Sequence, residues 1–500
     1  MDKNTRICIL GGGAAGLAAA MYLQVKGYTN YEVYERESVP GGRDGLGPGY
    51  GKPAAVLDLD AENAYALREM EVFSRETHAD GFGRRVFWNA GGRETKPLDS
   101  GAGLPLSSSL ANLRVRNQLR RLSHLLKTKY AGFNCYGHVG IAHGEFFGLS
   151  KEMDNHLRRL RGKNRSLKDL ALPLEQFLRI NGVPEAVRLF RPLLLKNGVG
   201  YTDEIPAAYV FKRFDIELAL AEAADDYAYW LADMPGIYEG VMRRLFRPVH
   251  LGTEAVRVER RDESACAAAK VQEEGAGEGD CTAAGKTEGE AAGKILVTLR
   301  DAKGERVEAF DKLLVTIPLP AFAGLADASA EEKDLFGRIC QKKMVELSGR
   351  LPAGEMPAVR GVLLGNQTPE RLGHAVAWRA DGWLAGKPVE KTAGQGFDGE
   401  SAVAAYALQN HEGSLEISLE DAKETMLEDL ALCGLPLAEA AGREMDGCPF
   451  IRCADYADGW YDRLEALQGR RSTFYGGRIV GAGGIEDALA SSRDLVGRFF

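Results

Sequence analysis

Several kinds of chemistry are missing from this 500-residue chain. It has no Gly-x-Ser-x-Gly elbow, no P-loop and no His-Glu-x-x-His. Serine hydrolases, nucleoside triphosphatases and zinc proteases therefore lack their minimum parts. Cysteine is scarce: eight residues, at 8, 135, 266, 281, 340, 433, 448 and 453, form no Cys-x-x-Cys pair and have no histidines at ligand spacing. That pattern excludes a zinc ribbon and a disulfide framework, leaving ordinary thiols in a reducing compartment and no metal. Positive charge is short too. Lys plus Arg total 63 against 71 Asp plus Glu, a formal charge of −8, opposite to the footprint of a nucleic-acid binder. A long hydrophobic run is also lacking. The apolar stretch from Ile7 to Leu23 is interrupted by small residues between Gly11 and Gly16, which weaken an insertion segment. No other stretch is long enough to span a bilayer. The expectation is a soluble, cytoplasmic protein with a small-molecule substrate, no nucleic acid and no stable membrane insertion.

What the chain has in excess is glycine, 60 of 500 residues or 12%, against an average of roughly 7%. Such an excess calls for tight turns and for places where backbone approaches a ligand closely. Apolar residues at 45% and charged residues at 27% are ordinary for a globular protein. The N-terminal segment reads as a βαβ unit. Arg6-Ile-Cys-Ile-Leu10 is a short buried strand, Ala14 to Lys26 an alanine-rich helix stopped by Gly27, and Tyr31-Glu-Val-Tyr-Glu35 a second strand. Residues 105–190 read as mainly helical, with a basic stretch at Arg114, Arg116, Arg120, Arg121, Lys127 and Lys129 that fits a solvated helix face. Between 262 and 293 the composition turns to Ala, Gly, Glu and Lys. This predicts a flexible insertion joining two neighbouring strands.

Gly11-Gly12-Gly13-Ala14-Ala15-Gly16 fits Gly-x-Gly-x-x-Gly between that first strand and helix. Gly11 permits the turn, Gly13 lets a pyrophosphate lie against backbone, and Gly16 allows close packing of helix on strand. The amides of Ala14 and Ala15 open the helix with its positive dipole end. Glu35, nineteen residues after Gly16, can accept hydrogen bonds from ribose hydroxyls. The fingerprint alone leaves FAD and NAD both open.

The extension Glu35-Arg36-Glu37-Ser38-Val39-Pro40-Gly41-Gly42-Arg43 resembles that of the flavin-dependent amine oxidase superfamily. There a Gly-Gly-Arg segment wraps the phosphates and ribityl chain of FAD. The resemblance implies cofactor contacts at Arg36, Gly42 and Arg43. Three later segments are similar to the same superfamily. Pro248 to Arg260 resembles the strand that embraces the adenine, with the Val256 backbone at its edge. Asp311 to Pro318 resembles the return strand, and Phe474-Tyr-Gly-Gly477 with Gly483 to Arg493 resembles the final FAD motif. This last resemblance implies roles for Gly476, Gly484 and Ile485, the helix amides facing negative charge on the flavin. Asn197 to Tyr201, Pro206 to Phe214 and Gly459 to Gly469 resemble, more narrowly, fungal flavoproteins of the β-cyclopiazonate dehydrogenase type. The departures are Asp44 to Gly51, and glycines at 476 and 477 where many amine oxidases place an acid. No cysteine follows the final strand and no histidine lies in an attachment motif, so noncovalent FAD is expected.

The fold so implied is α/β: a Rossmann-type FAD-binding domain interleaved with a mixed-sheet plus helical substrate domain. Residues 1–75, 235–320 and 470–500 would build the first, and 76–234 and 321–469 the second. The activity implied is hydride removal from a C–N or adjacent C–C bond of an amine-bearing secondary metabolite, in places coupled to cyclisation. A desaturase or isomerase of an isoprenoid-like substrate and a FAD-binding protein without turnover are the alternatives. Aromatic residues suit a desolvated amine site, with Tyr209, Trp230, Tyr456 and Tyr475 as substrate contacts; each also fits ordinary core packing. Lys343, on an expected strand, is the catalytic candidate to hold a water at the flavin, or else an exposed lysine.

Overall fold

The computed structural model describes residues 2–42, 54–57, 85–88, 94–95, 108–130, 165–213, 230–260, 295–351, 360–380, 401–412, 416–481 and 485–500. The first strand, Ile7–Leu10, is buried at every position, the pattern of a strand enclosed within a parallel sheet. It is the centre of five parallel strands in the order Thr473–Tyr475, Lys312–Val315, Ile7–Leu10, Tyr31–Tyr34, Val249–His250. Segments far apart in sequence therefore share one sheet. Strand alternation divides its faces. Ile7, Ile9, Val33, Leu314 and Phe474 join a core with residues of the helices Ala14–Val25 and Ile485–Phe499. Cys8, Leu10, Tyr34, Leu313 and Val315 join the larger core on the other side. Alanines at 18 and 19, almost wholly buried, let the first helix approach closely. Ser492 Oγ donates to the Ala15 carbonyl at 2.9 Å and fixes the last helix against it.

Three antiparallel strands, Glu254–Arg260, Ile295–Asp301 and Gly304–Phe310, add their apolar side to the larger core. Arg260 pairs with Ile295, so the strands flanking the 262–293 insertion are neighbours. The insertion itself lies outside the described residues. A seven-stranded mixed sheet follows, in the order Ala438–Ile451, Ile339–Leu351, Ser401–Leu408, Ala377–Ala380, Arg360–Leu363, Arg85–Trp88, Glu94–Thr95. The helix Leu419–Leu432 covers it, capped by Ser418, whose side chain accepts from the Asp421 amide. Ala422, Met426 and Leu430 meet Val345, Leu347 and Trp378 of the sheet. The helices Ser108–Lys127, Leu174–Ile180, Val187–Lys196 and Ala207–Arg213 pack around Leu122, Phe177, Phe190 and Tyr209. Among the described residues no helix is long and apolar enough to cross a membrane.

Candidate cofactor site

The glycine turn stands at the carboxyl end of the central strand, where neighbouring strands leave to either side; in open α/β sheets this is the ligand crevice. Gly11 has φ +108°, and a Cβ there would lie 2.7 Å from Thr316 Oγ1. Its amide donates to the Tyr34 carbonyl at 2.9 Å, while Thr316 Oγ1 donates to the Leu10 carbonyl at 2.7 Å. A Cβ on Gly16 would fall 1.9 Å from the Gly11 carbonyl oxygen, so helix and turn touch backbone to backbone. Gly13 is different. Its φ of −79° and ψ of −176° suit any residue, and a Cβ would meet nothing closer than 3.8 Å among the described residues. The protein itself gives no steric reason for glycine at this position.

Gly13 also caps the helix Ala14–Val25 without a side chain to accept its first amides, and the first turn holds no acid. The positive end of the helix is thus left for an anion brought from outside. The Gly41 amide donates to the Gly12 carbonyl at 3.0 Å, and Gly13 and Gly41 form a parallel bridge. Gly42, at φ +55°, continues that return. Glu35 is buried beside the turn. One carboxylate oxygen accepts from the Gly12 amide at 2.6 Å and the other from the Glu37 amide at 2.9 Å. Each oxygen keeps a further lone pair for a ribose hydroxyl. The Thr253 amide donates to the Glu35 carbonyl at 2.8 Å, so the strand Glu254–Arg260 starts at this corner. The pairing of that strand with Ile295–Asp301 shifts between Ala255 and Arg257, which leaves Val256 out of the ladder at a bulge.

The last expected segment arrives at the same edge. The Gly476 amide donates to the Val315 carbonyl at 2.8 Å, and Gly477 turns at φ +88° against the Thr316 carbonyl. Ile485 opens the last helix. Arg43 and Gly484 lie outside the described residues. Arg36 is exposed and pairs with Glu37 at 3.0 Å.

The expected substrate residues have other surroundings. Tyr475 is fully buried; its hydroxyl donates to Glu332 and accepts from Arg260 at 2.9 Å. Arg260 grips Glu332 with two further bonds, of 2.6 and 2.9 Å, and Asp327 at 2.8 Å. Burial pushes the Glu332 carboxyl up, but Arg260, Tyr475 and the Ser329 amide outweigh it and hold it at about 2. Tyr209 is enclosed in the same way. Its hydroxyl lies 2.5 Å from that of Tyr461 and accepts from the Ile451 amide, while Tyr461 donates to the Ile479 carbonyl at 2.7 Å. Tyr456 packs edge-on against both rings. All three candidates, Tyr209, Tyr456 and Tyr475, thus pack inside the core: the apolar rings suit it, and the Tyr209 and Tyr475 hydroxyls are hydrogen-bonded there. Trp230 pairs with Leu57 on a two-stranded ribbon.

Lys343 lies on the strand Ile339–Leu351, where it is turned outward, with a half-exposed side chain and Nζ 2.5 Å from Glu416. Its bonds, to Glu416 and from its amide to Asn410, join it to the segment after Leu408 and not to the glycine turn. Its neighbour Lys342 takes the inward position, with 2% side-chain exposure and Nζ 2.5 Å from Glu204. A bulge between Gln341 and Lys343 and the missing side chain at Gly447, where a Cβ would strike Lys342, make that inward turn possible. Sequence reasoning missed this buried pair, the Arg260–Glu332–Tyr475 network and Thr316. Only Thr316 carried a local signal, as the residue that ends a buried strand just before Ile317-Pro318.

A family model for an NAD(P)-binding Rossmann-like domain matches residues 9–44. No curated protein sequence matches the chain. Among solved structures, a CLA-producing fatty acid isomerase from P. acnes is 25% identical, with each chain covered over 100% and a TM-score of 0.74. Putrescine oxidase bound to putrescine is 14% identical, with 99% and 97% covered and a TM-score of 0.59. Cyclohexylamine oxidase from Brevibacterium oxydans IH-35A is 12% identical, with 99% and 98% covered and a TM-score of 0.58. With the parallel sheet and glycine edge described above, these likenesses show that the chain shares the fold of the isomerase and the two amine oxidases, built on a Rossmann-like unit.

Proposed function

We propose that this chain is a FAD-dependent oxidoreductase that holds its cofactor noncovalently and takes a hydride from a C–N or adjacent C–C bond of an amine-bearing metabolite. The observation that carries the cofactor reading is Gly13, a glycine that the fold does not need, at the uncapped start of a helix. A pyrophosphate against its backbone supplies the missing reason. In this reading Ala14 and Ala15 offer amides to the phosphates, and Gly41 and Gly42 close over them. Glu35 receives the ribose hydroxyls, and the unpaired Val256 backbone faces the adenine. Gly476, Gly477 and the last helix border the ring system. Bound there, FAD supplies a two-electron acceptor for a hydride. The test is the visible spectrum of the purified protein before and after acid precipitation, followed by anaerobic addition of amines. Yellow colour released into the supernatant and bleached by an amine supports the reading. A colourless protein that cannot be reconstituted with FAD refutes it, and colour kept in the pellet refutes noncovalent attachment.

The fatty acid isomerase gives specific support to a second reading, since its likeness runs end to end with the higher identity and TM-score. In it the same cradle serves a redox-neutral shift of a double bond along an unsaturated acyl chain. Such a protein leaves amines untouched and converts a polyunsaturated fatty acid to a conjugated diene, read as new ultraviolet absorbance. A yellow protein that bleaches with amines and forms no diene excludes it.

A further inference from the structure

The helix Ser108–Lys127 contains no acidic residue in a chain whose formal charge is −8. Its inner face buries Val115, Leu119 and Leu122 in the helical core. Its outer face carries Arg114, Arg116, Arg120, Arg121, His124 and Lys127, all exposed. None of the five Arg and Lys cations forms an ion pair with a described residue. Two acids on neighbouring segments have other cationic partners: Asp169 pairs with Lys129 at 3.1 Å and Glu185 with Arg188 at 3.1 Å. The loop after the helix Leu174–Ile180 is tied alongside, the Glu185 amide donating to Gln118 at 2.7 Å and Gly182 lying against the Arg121 guanidinium. The last turn of that helix carries Arg179, exposed, and Ile180, a large apolar side chain 54% exposed. A segregated cluster of cations beside an exposed isoleucine is out of keeping with an otherwise acidic protein.

We infer that this face is a docking surface for an anionic lipid bilayer, held by phosphate headgroups on the cations with Ile180 at the acyl boundary. Charge complementarity selects the occupant: cations near such a surface each add to adsorption and their contributions sum. A nucleic acid fits less well. The helix has no Trp, Tyr or Phe on which bases would stack. The association is peripheral and reversible, because the helix's own apolar stripe is already used in the core. It does not rest on the cofactor assignment, and either can fail alone.

The experiment is co-sedimentation of the full-length protein, as purified, with phosphatidylcholine vesicles carrying phosphatidylglycerol, against phosphatidylcholine alone, over a salt series. Binding is expected only to the anionic vesicles, weakening as salt rises. The variant Arg116→Gln/Arg120→Gln/Arg121→Gln/Lys127→Gln should lose about two orders of magnitude or more in partitioning, at roughly fivefold per cation. Its melting temperature should stay unchanged. Ile180→Ser, which alters no charge, should weaken binding a few-fold. Arg243→Gln/Arg247→Gln, on another surface, should bind as wild type. Equal binding by the fourfold variant, or none by the wild type, overturns the proposal. Tighter capture by a single-stranded oligouridylate than by the vesicles at the same salt overturns it as well.

Discussion

The five-stranded parallel sheet and the seven-stranded mixed sheet place their polar groups by different means. At the carboxyl edge of the first, the important positions are glycines and backbone amides, and their demands are met within a few residues of sequence. Gly16 is required by an oxygen five residues before it, and Gly11 by the turn it makes. In the second sheet, two adjacent lysines have opposite fates. Lys342 is buried against Glu204 and Lys343 stands in solvent with Glu416, a difference set by a bulge and by partners from distant segments. The comparison teaches that a cradle made of backbone is written locally, whereas a buried charge is written by the tertiary fold.

The sharpest way to break that comparison is at the lysine pair. Lys342→Met leaves the Glu204 carboxylate buried without its cation and should cost about 3–5 kcal/mol in chemical denaturation. Lys343→Met should leave the denaturation midpoint unmoved. Equal effects would show that the two positions do not differ as described. Gly16→Ala forces a Cβ onto the Gly11 oxygen and should destabilise the protein by about 3 kcal/mol, with or without FAD, in the same assay. Glu332 sharpens the contrast through pH. Its carboxyl is depressed from 4.5 to about 2 in the folded protein, so the stability it contributes is complete above the unfolded value and is lost as pH falls between the two. Glu332→Gln should be less stable at neutral pH, and its melting temperature should fall less steeply across that acid interval. An acid limb as steep as that of wild type would remove Glu332 from the account.

Much of the region around the parallel sheet was legible in the sequence, because strand, turn and helix each carry a local chemical mark. The Gly11 to Gly16 turn, Glu35 at the end of the second strand, and the return of Phe474 to Gly477 all meet at one sheet edge. The change of composition at 262–293 was read as a join between two neighbouring strands, and Arg260 does pair with Ile295. The second half was less legible for physical reasons. An aromatic ring has the same one-letter code in a core as on a cavity wall, and the partners that enclose Tyr209, Tyr461 and Ile451, lie some 250 residues away. The partners of Arg260 are 72 and 215 residues distant. Alternation alone allowed either of Lys342 and Lys343 to face inward. A bulge and a glycine on the neighbouring strand decided between them.

The central claim is that Gly13 is glycine for the sake of a ligand and not for the fold. Gly13→Ser tests it directly, because serine is a favoured helix N-cap and there is space for its Cβ. FAD would be titrated into wild-type and variant apoprotein by quenching of flavin fluorescence, with the melting temperature of each apoprotein measured alongside. The account predicts an unchanged or slightly raised melting temperature together with an FAD affinity at least about tenfold weaker, a loss of about 1.4 kcal/mol. A variant that binds FAD as tightly as wild type, or a wild-type apoprotein that binds none, would contradict it.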